Sequence, residues 1–327
     1  MSGSVRRSRG FAVAVAAVAA AVALVGCADR SGGGSAGGAF PSGTITLYTP
    51  TAAGGATDLT ARTLGKEMER ELGVSVVVEN RPGGAGTVGM QHVAGLGPDG
   101  YSIAVFPVEV AMLGHQGNDV DPADYTFLGQ ANSQPGTVAV PADSPYRTLA
   151  DLVSAAQAAP GTVTVSNAGP GSIWEAGAQQ LGDAAGVQFQ GVPFDGGAPA
   201  VTAAVGGQVD AVVAGIGETA PAHRDGRLRV LAVFTEERAP ALPDIPTAAE
   251  QGFDVVTGSW AVVAAPAGIP QDAASRLEAA VRTATESPAY VELITSGGSI
   301  PLYRSAAEAT EFVRAENERF AALYGKR

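Results

Sequence analysis

One cysteine, Cys27, stands in 327 residues, so no disulfide can form within the chain. Histidine is almost as scarce: His92, His115 and His223 fall at no metal-ligand spacing. There is no G-x-S-x-G, so a nucleophile elbow is missing. Cations are few, 20 Lys and Arg against 32 Asp and Glu, for a net charge of −12. No basic stripe gathers them, which excludes nucleic acid as a partner, because neutralising phosphates needs clustered Lys and Arg. Beyond Val25 no apolar run reaches the ~20 residues that span a bilayer. These absences leave a chain that is not expected to be an enzyme, with no metal and no cofactor.

What is present begins with an export leader. Arg6, Arg7 and Arg9 precede an unbroken apolar run from Phe11 to Val25, which ends in small residues. Leu24-Val25-Gly26-Cys27 resembles the lipobox of bacterial lipoproteins, which makes 1–26 a signal peptide and Cys27 the lipidated first residue of the mature chain. Acyl chains there would hold the protein at a membrane surface, extracytoplasmic and lipid-anchored. The Gly- and Ser-rich residues that follow complete a flexible tether over 27–43. Without the three leader arginines the net charge falls from −12 to −15.

The body alternates short apolar runs with amphipathic stretches, the pattern of βα units and largely parallel sheets. Strands are predicted at 44–49, 74–79, 101–106, 137–140, 162–166, 189–192, 211–214, 230–234 and 260–264. Helices are predicted at 58–72, to 94, 148–157, to 185, 196–205, 273–287, 289–296 and 306–324, with Thr148 as a cap and Ser305 and Glu308 at capping-box spacing. The chain leaves one sheet near Pro141 and returns near Ala264. The expected fold is therefore α/β with two lobes, 44–141 plus 265–327 and 142–264, joined by a hinge and separated by a cleft.

Three glycine-rich loops each join a strand to a helix. The first is Pro50-Thr-Ala-Ala-Gly-Gly-Ala-Thr-Asp58, the second Asn167-Ala-Gly-Pro-Gly-Ser172, the third Pro193-Phe-Asp-Gly-Gly-Ala198. Glycine lets successive N–H groups turn to one point, and a helix start adds partial positive charge, so such loops can bind a carboxylate without Lys or Arg. An ordinary βα turn with Thr57 or Asp58 as cap is the plainer reading of the first. A competing motif is Gly84-Ala-Gly-Thr-Val-Gly89, with Glu109 twenty residues on, the form of a dinucleotide fingerprint and of a nicotinamide-dependent oxidoreductase. The four residues Asn80-Arg-Pro-Gly83 before it lengthen the turn beyond what that fingerprint needs. Trp174 stands at the mouth of the second loop, and Trp260 is expected to pack near the hinge.

Taken together the motifs resemble the solute-binding receptors of tripartite tricarboxylate transporters, also called Bug receptors. The resemblance rests on the first loop with Ala61-Arg62, on Val78-Glu-Asn-Arg-Pro-Gly-Gly-Ala-Gly86, on Pro98-Asp-Gly-Tyr101, on Gly206-Gly-Gln-Val-Asp210, on Gly226–Val233 and on Pro243–Gly252. It implies a type II periplasmic-binding fold, a small carboxylate ligand, and delivery to a membrane permease of one large and one small subunit; a monomer is expected. It also implies ligand contacts at Ala53, Gly54, Gly55 and Thr57 in one lobe and at Asn167, Gly171 and Ser172 in the other, with Asp195, Gly196 and Gly197 near them. Asp58 would fix the loop or meet a ligand amine. The family commonly carries His where this chain has Glu175; if that carboxylate faces the cleft, it implies a mono- or dicarboxylate or amino-acid-like ligand of low negative charge. A ligand sensor that signals without transport is the other binding-protein reading.

Overall fold

A computed structural model describes residues 40–325. The leader, Cys27 and most of the Gly-Ser tether lie outside the described residues. The chain runs β1 (Ile45–Thr49), α1 (Ala56–Leu72), β2 (Val76–Asn80), α2 (Thr87–Ala94), β3 (Ser102–Pro107), β4 (Tyr125–Pro141), α3 (Leu149–Ala158), β5 (Thr164–Asn167), α4 (Ile173–Ala185) and β6 (Gln190–Pro193). Then come α5 (Gly197–Val205), β7 (Ala211–Gly215), α6 (Ile216–Arg224), β8 (Leu228–Val233), β9 (Gly258–Pro266), α7 (Gln271–Thr285), α8 (Pro288–Ser296), β10 (Ile300–Arg304) and α9 (Ala306–Tyr324).

The strands lie in the order β2-β1-β3-β9-β4-β7-β5-β6, with β8 and β10 also paired to β4. The β2/β1/β3 and β6/β5/β7 groups are parallel, as βα connections demand. Every pair that involves β4 or β9 is antiparallel. The sheet is thus mixed rather than largely parallel. The reason is topological: one strand carries the chain into the second half and another carries it back, so the two run in opposite directions.

β4 is also far longer than the predicted 137–140, at 17 residues. Its residues 125–135 pair with β9, while 136–141 pair with β7 and β8. The Pro135-Gly136 pair reads locally as a turn, but the strand runs through it, because β9 and then β7 and β8 supply hydrogen bonds along its whole length. β4 passes from β9 to β7 and β8 between Pro135 and Gly136, and β9 begins at Gly258, opposite Pro135. Helix α6 and strand β10 escaped the sequence reading. Their apolar stripes are short, and Pro221 inside α6 masks its period.

Three apolar clusters hold these layers. One lies between the first half-sheet and α1 and α7, with Leu47, Leu64, Met68, Val105, Val263 and Leu277. Another, with Val212, Ile216 and Val230, packs the second half under α5 and α6. The largest runs along the opposite face of both halves, from Phe106 through Val138 and Trp174 to Trp260. Burying side chains of this size contributes roughly 1.5–3 kcal/mol each. The predicted caps are in place: Thr148 Oγ1 accepts from Asp151 N–H at 3.1 Å, and Ser305 and Glu308 close a reciprocal capping box at the head of α9. Among the described residues no helix is long and apolar enough to cross a membrane.

Candidate functional site

Helix α1 starts at Ala56 after Gly55, and no side chain caps it from Gly55. Asp58 takes over from inside the first turn. Its Oδ2 accepts from Gly54 N–H at 2.8 Å and from Arg62 Nε at 3.0 Å, and its Oδ1 accepts from Asn80 Nδ2 at 2.8 Å. Asn80 also donates to Thr51 O at 3.0 Å, so the glycine-rich loop is tied to the end of β2. Burial would raise the Asp58 carboxyl, but the hydrogen bonds from Arg62, Gly54 and Asn80 together hold it below the usual carboxylate range. Asp58 is thus fully engaged in fixing the loop. The N–H groups of Ala56, Thr57 and Asp58 have no partner within the helix, as in every α-helical first turn.

Those groups open on a cavity of about 550 Å³ between the two halves. Gly54, Ala56 and Thr57 line it from α1. Opposite, Ala198 lines it from the start of α5, and Gly217 and Glu218 from the start of α6. First-turn residues of three helices, one from the first half and two from the second, therefore border one space, along which α5 and α6 continue to Val205 and Ala222. Its floor is the crossing pair of strands, with Asn132 and Gln134 on β4 and Ser259, Trp260 and Ala261 on β9. Arg227 is the one cationic residue among those lining it, and its guanidinium pairs with Asp225 at 3.0 Å.

Of the expected contact residues, Gly54 and Thr57 line this cavity, Ala53 and Gly55 flank them, and Gly196 and Gly197 form the start of α5. Asn167, Gly171, Ser172, Glu175 and Asp195 are not among the lining residues. The second loop lies instead near Ala85, Leu113 and Gln116, the residues closest to Gly171. Its polar groups are satisfied within the loop or by a neighbour. Asn167 Oδ1 accepts from Gly169 N–H at 2.9 Å, and Ser172 Oγ donates to Gly169 O at 2.7 Å while accepting from Glu175 N–H at 3.2 Å. The Glu175 carboxylate accepts from Gly171 N–H at 2.8 Å, the donor that was expected to face a ligand. Ile173 N–H at the head of α4 donates to Glu109 Oε1 at 3.0 Å, a link from the first half to the second.

Glu109 is 7% exposed, and its burial raises the carboxyl to about 7. Its position twenty residues after Gly89 therefore serves a bond to α4 and not a ribose. The glycines of Gly84–Gly89 answer to packing: a Cβ at Gly89 would lie 2.6 Å from Arg81 O and 2.8 Å from Pro50 Cα, so α2 seats directly on the neighbouring backbone. Trp174 is buried in the shared cluster. Trp260 lines the cavity and donates through Nε1 to Glu316 at 3.1 Å.

Sequence reasoning missed two residues of the site. Gln134 is buried, lines the cavity and leaves its Nε2 without a hydrogen-bond partner. Its neighbours Pro135 and Gly136 disguised the strand that carries it. Glu218 lines the cavity three residues after Gly215, and its Oε2 accepts from Gly215 N–H at 3.1 Å. Burial raises this carboxyl too, to about 7. Gly215-Ile-Gly-Glu218 is a fourth strand-to-helix glycine loop, and that pattern was the available signal.

A two-lobed α/β chain with a ligand-sized cavity between its halves has the architecture of the periplasmic-type solute receptors. Comparison with known proteins makes the family definite. The model of the tripartite tricarboxylate transporter family receptor matches residues 60–327. A UPF0065 protein from the TAR-I ttuE-ttuC' intergenic region of Agrobacterium vitis is 32% identical over 289 residues, 86% of this chain and 84% of that one. MatC (Rpa3494) of Rhodopseudomonas palustris, solved with bound malate, is 29% identical with a TM-score of 0.82, over 87% of this chain and 100% of that one. R. palustris Rpa4515, solved with adipate, is 28% identical with a TM-score of 0.82, over 88% and 98%. The chain belongs to the receptor family of the tripartite tricarboxylate transporters, and so is an extracytoplasmic solute receptor.

Proposed function

We propose that the protein captures a small carboxylate between its lobes and delivers it to a membrane permease of one large and one small subunit, acting as a monomer and performing no chemistry on the ligand. The observation that carries this reading is the convergence of α1, α5 and α6 on the one cavity. An anion there would meet first-turn N–H groups from both halves. A ligand that touches both halves favours the closed arrangement, by as much as it binds that arrangement more tightly than the open one. Malate in MatC and adipate in Rpa4515 support a carboxylate as the ligand.

The same reading divides the body where β4 changes partners, beside the start of β9. One lobe is 44–135 plus 259–325, the other 136–258, with hinges at Pro135-Gly136 and Thr257-Gly258. The leader and Cys27 make the protein a lipid-anchored one, tethered by the Gly-Ser stretch outside the cytoplasm.

The test is a thermal-shift screen of the purified body against mono-, di- and tricarboxylates. A ligand at a hundred times its Kd adds about 2.7 kcal/mol to apparent stability, a rise of several degrees. No shift with any carboxylate would remove the reading. Intact mass of detergent-extracted protein should give a chain starting at an acylated Cys27, and an unprocessed leader would contradict the anchor.

A further inference from the structure

The cavity has a second polar point besides the head of α1, and its chemistry is unusual. Gln134 comes up from the floor and lies against the Gly215–Gly217 turn: a Cβ on Gly215 would be 2.4 Å from its Cδ, and one on Gly217 would be 2.9 Å from its Nε2. Ser299 Oγ approaches the same Gly217 position at 3.2 Å. Gln134 is 7% exposed, yet Nε2 donates to nothing. A buried amide donor left unpaired is costly, so a bound group that accepts from it is favoured. Glu218 faces the cavity from the same turn. One of its oxygens accepts from Gly215 N–H, and both lie against the head of α5, where a Cβ on Gly197 would be 2.4 and 2.5 Å from them.

These two groups ask for opposite things. Gln134 Nε2 needs an acceptor and Glu218 needs a donor. Above pH 7, where Glu218 is ionised, a second carboxylate would satisfy Gln134 but stand against Glu218, with Arg227 already paired to Asp225. An ammonium would satisfy Glu218 but leave Gln134 facing another donor. A neutral group that both accepts and donates, a hydroxyl or a primary carboxamide, answers both. The cavity also has apolar lining, from Leu59, Val201, Val205, Leu293 and Ile294, beside Thr60, Asn132, Thr202 and Ser259. Leu59 is 47% exposed, one of the few large apolar side chains left open.

We propose that the ligand is a monocarboxylate whose far end carries a hydroxyl or carboxamide, with an aliphatic stretch between: its carboxylate sits at the head of α1 and its neutral end between Gln134 and Glu218. The inference rests on the receptor reading and narrows it to one class of carboxylate.

The experiment compares each dicarboxylate with its own monoamide, so that size and chain length are held constant. Succinate, succinamate, adipate and adipamate are titrated calorimetrically into the purified body at pH 7.5. At whichever length binds, the monoamide should bind at least tenfold more tightly than the diacid. Gln134→Leu should weaken the monoamide and the diacid alike, at least fivefold, since both accept from Nε2. Glu218→Gln, which keeps the hydrogen bond to Gly215, should narrow the gap at least fivefold by strengthening the diacid. A diacid that binds as tightly as its monoamide overturns the inference and leaves the receptor reading standing. So does a preference that survives Glu218→Gln, or a monoamide affinity unchanged by Gln134→Leu, in folded protein. Failure of all four probes, and of hexanoate and citrate alongside them, overturns both.

Discussion

The first and second glycine-rich loops are written alike and end up with different work. Each follows a parallel strand, turns through glycines and starts a helix. In the first, Asp58 draws Gly54, Asn80 and Arg62 together behind the loop, and Gly54, Ala56 and Thr57 are left at the cavity. In the second, Glu175 and Ser172 fold back on the loop, and Glu109 takes the N–H of Ile173 from the other half. A βα loop supplies unsatisfied N–H groups in both cases. Whether a ligand or the protein satisfies them depends on which side chains stand within reach.

The contrast can be broken most forcefully at Asp58. Asp58→Ala removes three hydrogen bonds, which leaves Gly54 N–H unheld and Asn80 Nδ2 with only Thr51 O. Stability should fall by about 2–4 kcal/mol in urea unfolding, and carboxylate affinity should collapse. Unchanged affinity in a folded variant would show that the first loop does not hold the ligand.

Glu109 offers the next largest effect, and it depends on pH. Its folded carboxyl titrates near 7 against 4.5 when free, so the folded chain binds the proton more tightly. Stability from this group is present below about 4.5 and is lost as pH rises through 7. Glu109→Gln keeps an acceptor for Ile173 N–H and cannot ionise. It should be the more stable protein above pH 7 by roughly 2–3 kcal/mol, with a flatter dependence between pH 5 and 8. The slope should not vanish, because Glu218 contributes with the same sign. Parallel pH profiles for variant and wild type would refute the assignment.

The smallest effect belongs to Glu175. Glu175→Ala frees Gly171 N–H at a partly exposed loop and should cost about 1 kcal/mol in stability. Ligand affinity should change less than twofold. A tenfold change would put the second loop back at the ligand and erase the contrast.

The strand–loop–helix grammar, the caps at Thr148 and Ser305 and the family were legible in the chain, because each is written in neighbouring residues: local hydrogen bonds and apolar periods need no distant partner. What could not be read depends on residues far apart. β4 looked irregular because Gly129, Pro135 and Gly136 break its local pattern, and only pairing with β9, β7 and β8 makes it a strand. Glu109 stands 64 positions before Ile173, the residue whose N–H it accepts, so the sequence offered it to the wrong motif. Gln134 gains its meaning from Gly215 and Gly217, which reach it only when β7 pairs beside β4. Sequence by itself determined that glycine-rich helix starts would be available to an anion. The tertiary structure decided which of them face the cavity, since burial and the position of the other half set where an unpaired donor can remain.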